Sequence, residues 1–107
     1  MKRDFLSVSI MTKIERNDAI ARVSSAISAS DGWIVNHTLF SNIAATINFE
    51  FPANNIDSFL ASLEQSSFDP QLDREMPDRS DGDLRAQISI TFLHDQPDLK
   101  RDVPTFG

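Results

Sequence analysis

The sequence contains no cysteine, and only three of its 107 residues are glycine. Without cysteine there is no thiolate chemistry, no cysteine-based zinc site and no disulfide framework, and a reducing compartment is favoured. Three glycines are too few for a Gly-x-Gly-x-x-Gly or Walker phosphate loop, and no Gly-x-Ser-x-Gly elbow is present. The sequence therefore predicts no catalytic residue, no metal site and no cofactor.

Basic residues and long apolar runs are also scarce. The formal net charge is -6, and no Lys or Arg occurs between Val23 and Asp73. Nucleic-acid binding needs a basic stripe to neutralise phosphates, and none is available. No apolar run approaches the roughly 20 residues of a membrane span, and the charged N-terminus lacks the apolar region of a signal peptide. We expect a cytoplasmic protein that binds neither nucleic acid nor membrane.

Hydrophobic periodicity predicts six elements within one domain at 1–94. Period-2 alternation predicts strands over 5–13, 43–51 and 84–94, and a less cleanly patterned strand is predicted over 33–40. Helical spacing predicts helices over 17–30 and from 54 or 55 onward. Asn17 is the predicted N-cap of the first helix. The order β-α-β-β-α-β predicts an α+β, ferredoxin-like sandwich, with a four-stranded antiparallel sheet and two helices on one face. The usual strand order, 4-1-3-2, places His37 and His94 at opposite edges.

Two segments fall outside these elements. Residues 66–83 carry six acids between 68 and 83 with two prolines, which predicts a mobile acidic loop, and 95–107 reads as a C-terminal tail. No EF-hand spacing is present in the acidic loop, so a solvated loop is favoured over a calcium site. The strand faces turned away from the helices are polar and weakly charged. With exposed edges at the second and last strands, this predicts a homodimer.

The turn from the first strand into the first helix carries the clearest basic cluster. Lys13 and Arg16 flank a helix N-terminus, where backbone amides attract anions. The element order over 5–94 and the segment of the first helix resemble the ACT family of small-molecule regulatory domains, and Lys13-Ile14-Glu15-Arg16-Asn17-Asp18 takes the place of the family's ligand-binding turn without its glycine. The resemblance implies a non-catalytic regulatory or interaction module that acts as a homodimer and binds a small zwitterionic or monoanionic ligand at this turn. The candidate ligand-binding residues are Thr12, Lys13, Arg16, Asn17 and Asp18.

Two alternative functions remain open. Gly32-Trp33-Ile34-Val35-Asn36 is similar to a segment of the acylphosphatases, which share the element order. That resemblance implies that Asn36 positions an attacking water, although Thr12 to Arg16 holds none of the glycines of the family's phosphate cradle. The other alternative is a protein-interaction adaptor that uses the acidic loop as its contact.

Overall fold

A computed structural model describes residues 5–40, 43–77 and 82–93. The elements in chain order are β1 (Phe5–Thr12), α1 (Arg16–Ala29), β2 (Trp33–Phe40), β3 (Ala44–Pro52), a short 3-10 turn (Ala53–Asn55), α2 (Ile56–Gln65), β4 (Gln71–Leu72) and β5 (Asp83–Phe92).

The strands form one mixed five-stranded sheet in the order β2-β3-β5-β1-β4. β5 pairs parallel with β1 and antiparallel with β3, while β3 also pairs antiparallel with β2. The α+β class with two helices is confirmed. The four-stranded, fully antiparallel sheet is wrong, because a fifth strand and a parallel pair are present. The last strand lies in the middle of the sheet and not at an edge, since β5 pairs with β1 on one side and with β3 on the other.

The core lies between one face of the sheet and both helices, as the period-2 alternation predicted. On β1, β3 and β5 every second residue is buried, and these side chains pack against buried residues of α1 and α2. Phe49, Phe51 and Phe59 form an aromatic cluster with ring centroids 5.1 to 5.7 Å apart. Such tilted ring pairs add to the free energy gained by burying apolar area. This cluster joins β3 to α2.

The N-terminal cap of α1 differs from the predicted residue, and a left-handed residue follows the helix at its other end. Glu15, and not Asn17, caps the helix: its carboxylate accepts hydrogen bonds from the amides of Asn17 and Asp18. At the other end Asp31 takes the left-handed conformation, with φ of 63°. The amide of Gly32 then donates to the carbonyl of Ile27 at 2.9 Å. The chain thereby turns from α1 directly into β2.

The predicted acidic loop is partly ordered against the sheet. Gln71 and Leu72 form β4, which pairs antiparallel with β1 at the edge opposite β2. A strand of two residues is too short to produce a detectable alternation, so hydrophobic periodicity did not predict it. Phe68 is buried in the core, and Asp73 accepts hydrogen bonds from the hydroxyls of both Ser7 and Ser9. Residues 78–81 lie outside the described part of the chain.

Candidate functional site

The turn between β1 and α1 brings the five predicted ligand-binding residues together. Thr12 ends β1 and is buried, and its hydroxyl accepts a hydrogen bond from the amide of Ile14 at 3.0 Å. Its carbonyl accepts from the amide of Leu93 at 2.8 Å. Thr12 therefore stabilises the turn itself, and its side chain is directed to backbone within the turn.

Acidic side chains already occupy much of this turn. The Glu15 carboxylate accepts from the Asn17 amide at 3.0 Å and from the Asp18 amide at 3.1 Å. Asp18 in turn binds both Nε and Nη2 of Arg22. A ligand anion would have to displace Glu15 from the helix amides or bind beside it. Binding of a ligand at this turn stays a prediction, and Glu15 is the residue that competes with it.

The cations of the turn are also engaged. Lys13 is exposed and Arg16 is half-buried, and each already interacts within the structure. Arg22 donates to the carbonyl of Ser66 at 3.0 Å, which ties α1 to the end of α2. Arg22 therefore has a structural role that the sequence, in which Ser66 is 44 residues away, did not indicate.

β2 is the feature that sequence analysis underestimated. All eight of its residues are exposed, in contrast to the alternating burial of β1, β3 and β5. Among the strands of the described residues, β2 lies at the edge of the sheet and pairs with β3 alone. Large apolar side chains on or beside it are about 40–60% exposed, namely Trp33, Ile34, Val35, Leu39, Phe40 and Ile43. The signal in the sequence was the weak alternation of this strand, because a strand covered by helices on one face alternates cleanly.

The sheet face turned away from the helices carries a row of amide side chains that ends at β2. Gln87 donates to the Oδ1 atom of Asn48 at 3.2 Å, and Asn48 donates to the Oδ1 atom of Asn36 at 2.8 Å. These residues lie opposite one another on β5, β3 and β2. Each hydrogen bond in the row fixes the orientation of the two amide groups that it joins. Asn36 is its last member, at the exposed edge.

A shallow depression of about 390 Å³ lies on the same open face. Phe5 and Val35 line it together with Asn48, Glu50 and Arg85. Glu50 and Arg85 lie opposite each other on β3 and β5. The depression thus presents one carboxylate and one guanidinium beside apolar side chains.

The geometry brings no support to the acylphosphatase-like site. Asn36 lies on β2, while the turn that would form the phosphate cradle follows β1, and both β3 and β5 lie between these two strands. Three strand spacings amount to roughly 14 Å. Asn36 bonds to Asn48 instead. The two segments that the hydrolase reading requires are therefore not adjacent.

In the described ranges 5–40, 43–77 and 82–93, no three His, Asp or Glu residues lie close enough together to bind a metal ion. His37 lies exposed on β2. The other predicted edge histidine, His94, lies outside these ranges.

None of the family models, curated proteins and solved structures compared with the chain matches it. In the described part of the chain, neither helix is long and apolar enough to cross a membrane.

Proposed function

We propose that the chain is a non-catalytic interaction module that acts as a homodimer joined along the outer edge of β2. The observation that carries the proposal is the exposure of all eight residues of this edge strand. Edge strands present unpaired amide and carbonyl groups, and proteins usually protect them with charged residues or proline. β2 has no Asp, Glu, Lys, Arg or Pro. A strand of this kind is suited to pairing with another strand.

Charge bears on which surface a second copy can use. The chain carries a net charge of -6, so two copies repel each other over most of their surfaces. The β2 edge is uncharged, and pairing there brings no like charges directly opposite each other. Antiparallel pairing of a strand with its own copy also satisfies a two-fold axis, which is the commonest symmetry of protein homo-oligomers.

The exposed apolar area is of the size that a modest dimer needs. A fully exposed large side chain presents on the order of 150–200 Å². Six such side chains at about half exposure offer on the order of 500 Å² per protomer. Two copies that cover this surface bury on the order of 1,000 Å² in total, which is the lower range of specific interfaces. The expected dimer is therefore reversible at micromolar concentration.

The finer features of the proposal come from the sequence. The ACT-like regulatory role includes a small zwitterionic or monoanionic ligand that binds at residues 12–18. This role rests on the element order and on the residues of that turn. The cytoplasmic location is an expectation from the sequence, which has no apolar run of membrane-spanning length and whose lack of cysteine fits a reducing compartment. The adaptor alternative, which uses the acidic loop, is less favoured because Gln71 and Asp73 pack on β1 and leave less of the loop available.

Sedimentation velocity tests the proposal directly. The unmodified chain should sediment at about twice the chain mass of 12.0 kDa at tens of micromolar, and dissociate on dilution. Leu39→Lys places a charge on the edge at a side chain that is 46% exposed, and it should sediment as a monomer. Ala21→Lys, on the exposed face of α1, introduces the same charge and should stay dimeric. A monomeric unmodified chain, or a dimeric Leu39→Lys variant, contradicts the proposal.

A further inference from the structure

The pairing of β2 with β3 is interrupted at one position. Ile34 lies opposite Phe49, and Asn36 lies opposite Asn48, so Val35 is an extra residue without a partner on β3. A bulge of this kind bends the strand and disrupts the ladder next to it. From Asn36 to Phe40 the register is regular, residue for residue. The part of the β2 edge that can accept a regular new strand is therefore the five-residue stretch 36–40.

Symmetry then selects one register. The two-fold axis of an antiparallel pair of identical strands passes midway between one residue and its own copy, which lie opposite each other. From the regular stretch 36–40 we infer that this residue is Thr38, the midpoint, because only this register pairs all five residues. The inference rests on the proposed homodimer and names the contact within it. Asn36 then lies opposite the partner's Phe40, and His37 lies opposite the partner's Leu39.

The side-chain pairs in this register are compatible on both faces. Thr38 is opposite Thr46 of β3, so it lies on the open face with Asn36 and Phe40. Two β-branched threonines at the axis form a favourable cross-strand pair whose hydroxyls can bond to each other. On the helix face, His37 of each protomer lies opposite the partner's Leu39. No pair places two carboxylates or two cations opposite each other.

The register also fixes what the dimer looks like. The axis is perpendicular to the sheet, so the two five-stranded sheets continue into one another and all four helices lie on the same side. The open faces join into one polar surface. The amide rows that end at Asn36 in each protomer approach the axis from both sides. The inference therefore assigns Thr38 as the centre of a composite face.

Cysteine cross-linking tests the axis, since the chain has no other thiol. A residue opposite its own copy has a Cα–Cα distance of roughly 4.5–5.5 Å, within the range for a disulfide. His37 and its copy are offset by two residues, which gives roughly 8 Å, and Asn36 and its copy by four, roughly 13 Å along the strand. Neither of these pairs can be bridged without backbone movement.

The experiment compares Thr38→Cys, His37→Cys, Asn36→Cys and Leu39→Cys, oxidised by glutathione disulfide at tens of micromolar. The covalent dimer is quantified by non-reducing electrophoresis, and Ala21→Cys on α1 gives the rate of random collision. We expect Thr38→Cys to cross-link at least tenfold faster than Ala21→Cys, and the other three variants to stay near that control. Each variant is also sedimented in the reduced form.

The outcomes separate the two proposals. A reduced dimer that cross-links fastest at position 36, 37 or 39 overturns the assigned axis and keeps the homodimer at β2. A reduced dimer that cross-links at none of the four positions overturns the assigned axis, and if Leu39→Lys is dimeric as well, the homodimer at β2 is overturned with it. A monomeric unmodified chain removes the homodimer, and the register with it.

Discussion

Between α1 and β2, Gly32 lies where no side chain fits. A Cβ atom at this position would meet the carbonyl oxygen of Glu50 and the Cβ atom of Phe51, both at 2.8 Å. Neither atom is the far end of a flexible side chain, so the backbone of β3 would have to move. The glycine is required here by the close approach of β3, while the left-handed residue that ends α1 is Asp31.

Replacing Gly32 by alanine should destabilise the fold by about 1–3 kcal/mol, the usual cost of overpacking a tight contact. Ser25→Ala, on the exposed side of α1, should change the free energy of unfolding by no more than about 0.5 kcal/mol. Urea unfolding at one fixed protein concentration measures both values. A Gly32→Ala variant as stable as Ser25→Ala would mean that β3 yields at this contact.

At the scale of elements, what the sequence predicted depends on how each strand is buried. β1, β3 and β5 each bury one face, so apolar residues alternate along all three strands, as Leu6, Val8 and Ile10 do in β1. This alternation identified the three strands correctly. Strand order was not predictable, since β1 and β5 have equally apolar faces and either could lie beside β3. β4 was missed because two residues carry no period.

The candidate site was predicted only in part, for a related reason. The residues of the β1–α1 turn are close together in the sequence, so the sequence alone could identify them as one candidate site. Glu15 as the helix cap was missed because glutamate is not a preferred residue there. β2 is exposed because no other element of the described chain covers it, and a single sequence does not show which elements cover a strand. It shows only that Trp33 to Phe40 lacks a clean alternation.

Ligand binding at the β1–α1 turn is tested by thermal shift with amino acids, nucleotides and carboxylates. At one hundred times its dissociation constant, a ligand should stabilise the fold by about 2.7 kcal/mol, which raises the melting temperature by several degrees. Lys13→Ala combined with Arg16→Ala should abolish this shift, measured against the variant's own ligand-free melting temperature.

Arg85→Gln serves as the matched variant for that panel, because it removes the guanidinium of the open-face depression and leaves the turn intact. A shift that survives in the Lys13 and Arg16 double variant but disappears in Arg85→Gln would place the ligand in the depression. A panel in which no compound stabilises the chain would contradict the regulatory-ligand part of the proposal and leave the interaction module.

At the scale of the whole molecule, net charge and interface chemistry predict how salt affects assembly. Two chains of charge -6 repel each other, and this repulsion is screened as the Debye length falls from about 30 Å at 0.01 M to about 8 Å at 0.15 M salt. The β2 edge contains no charged pair whose attraction salt would weaken. Raising sodium chloride across this range should therefore tighten the dimer several-fold, measured as a lower dissociation constant in sedimentation equilibrium.

An interface built on complementary charges would respond in the opposite direction, so weaker association at higher salt would place the contact away from β2. Leu39→Lys should remain monomeric at both salt concentrations, because the buried lysine opposes pairing by desolvation, which salt does not relieve.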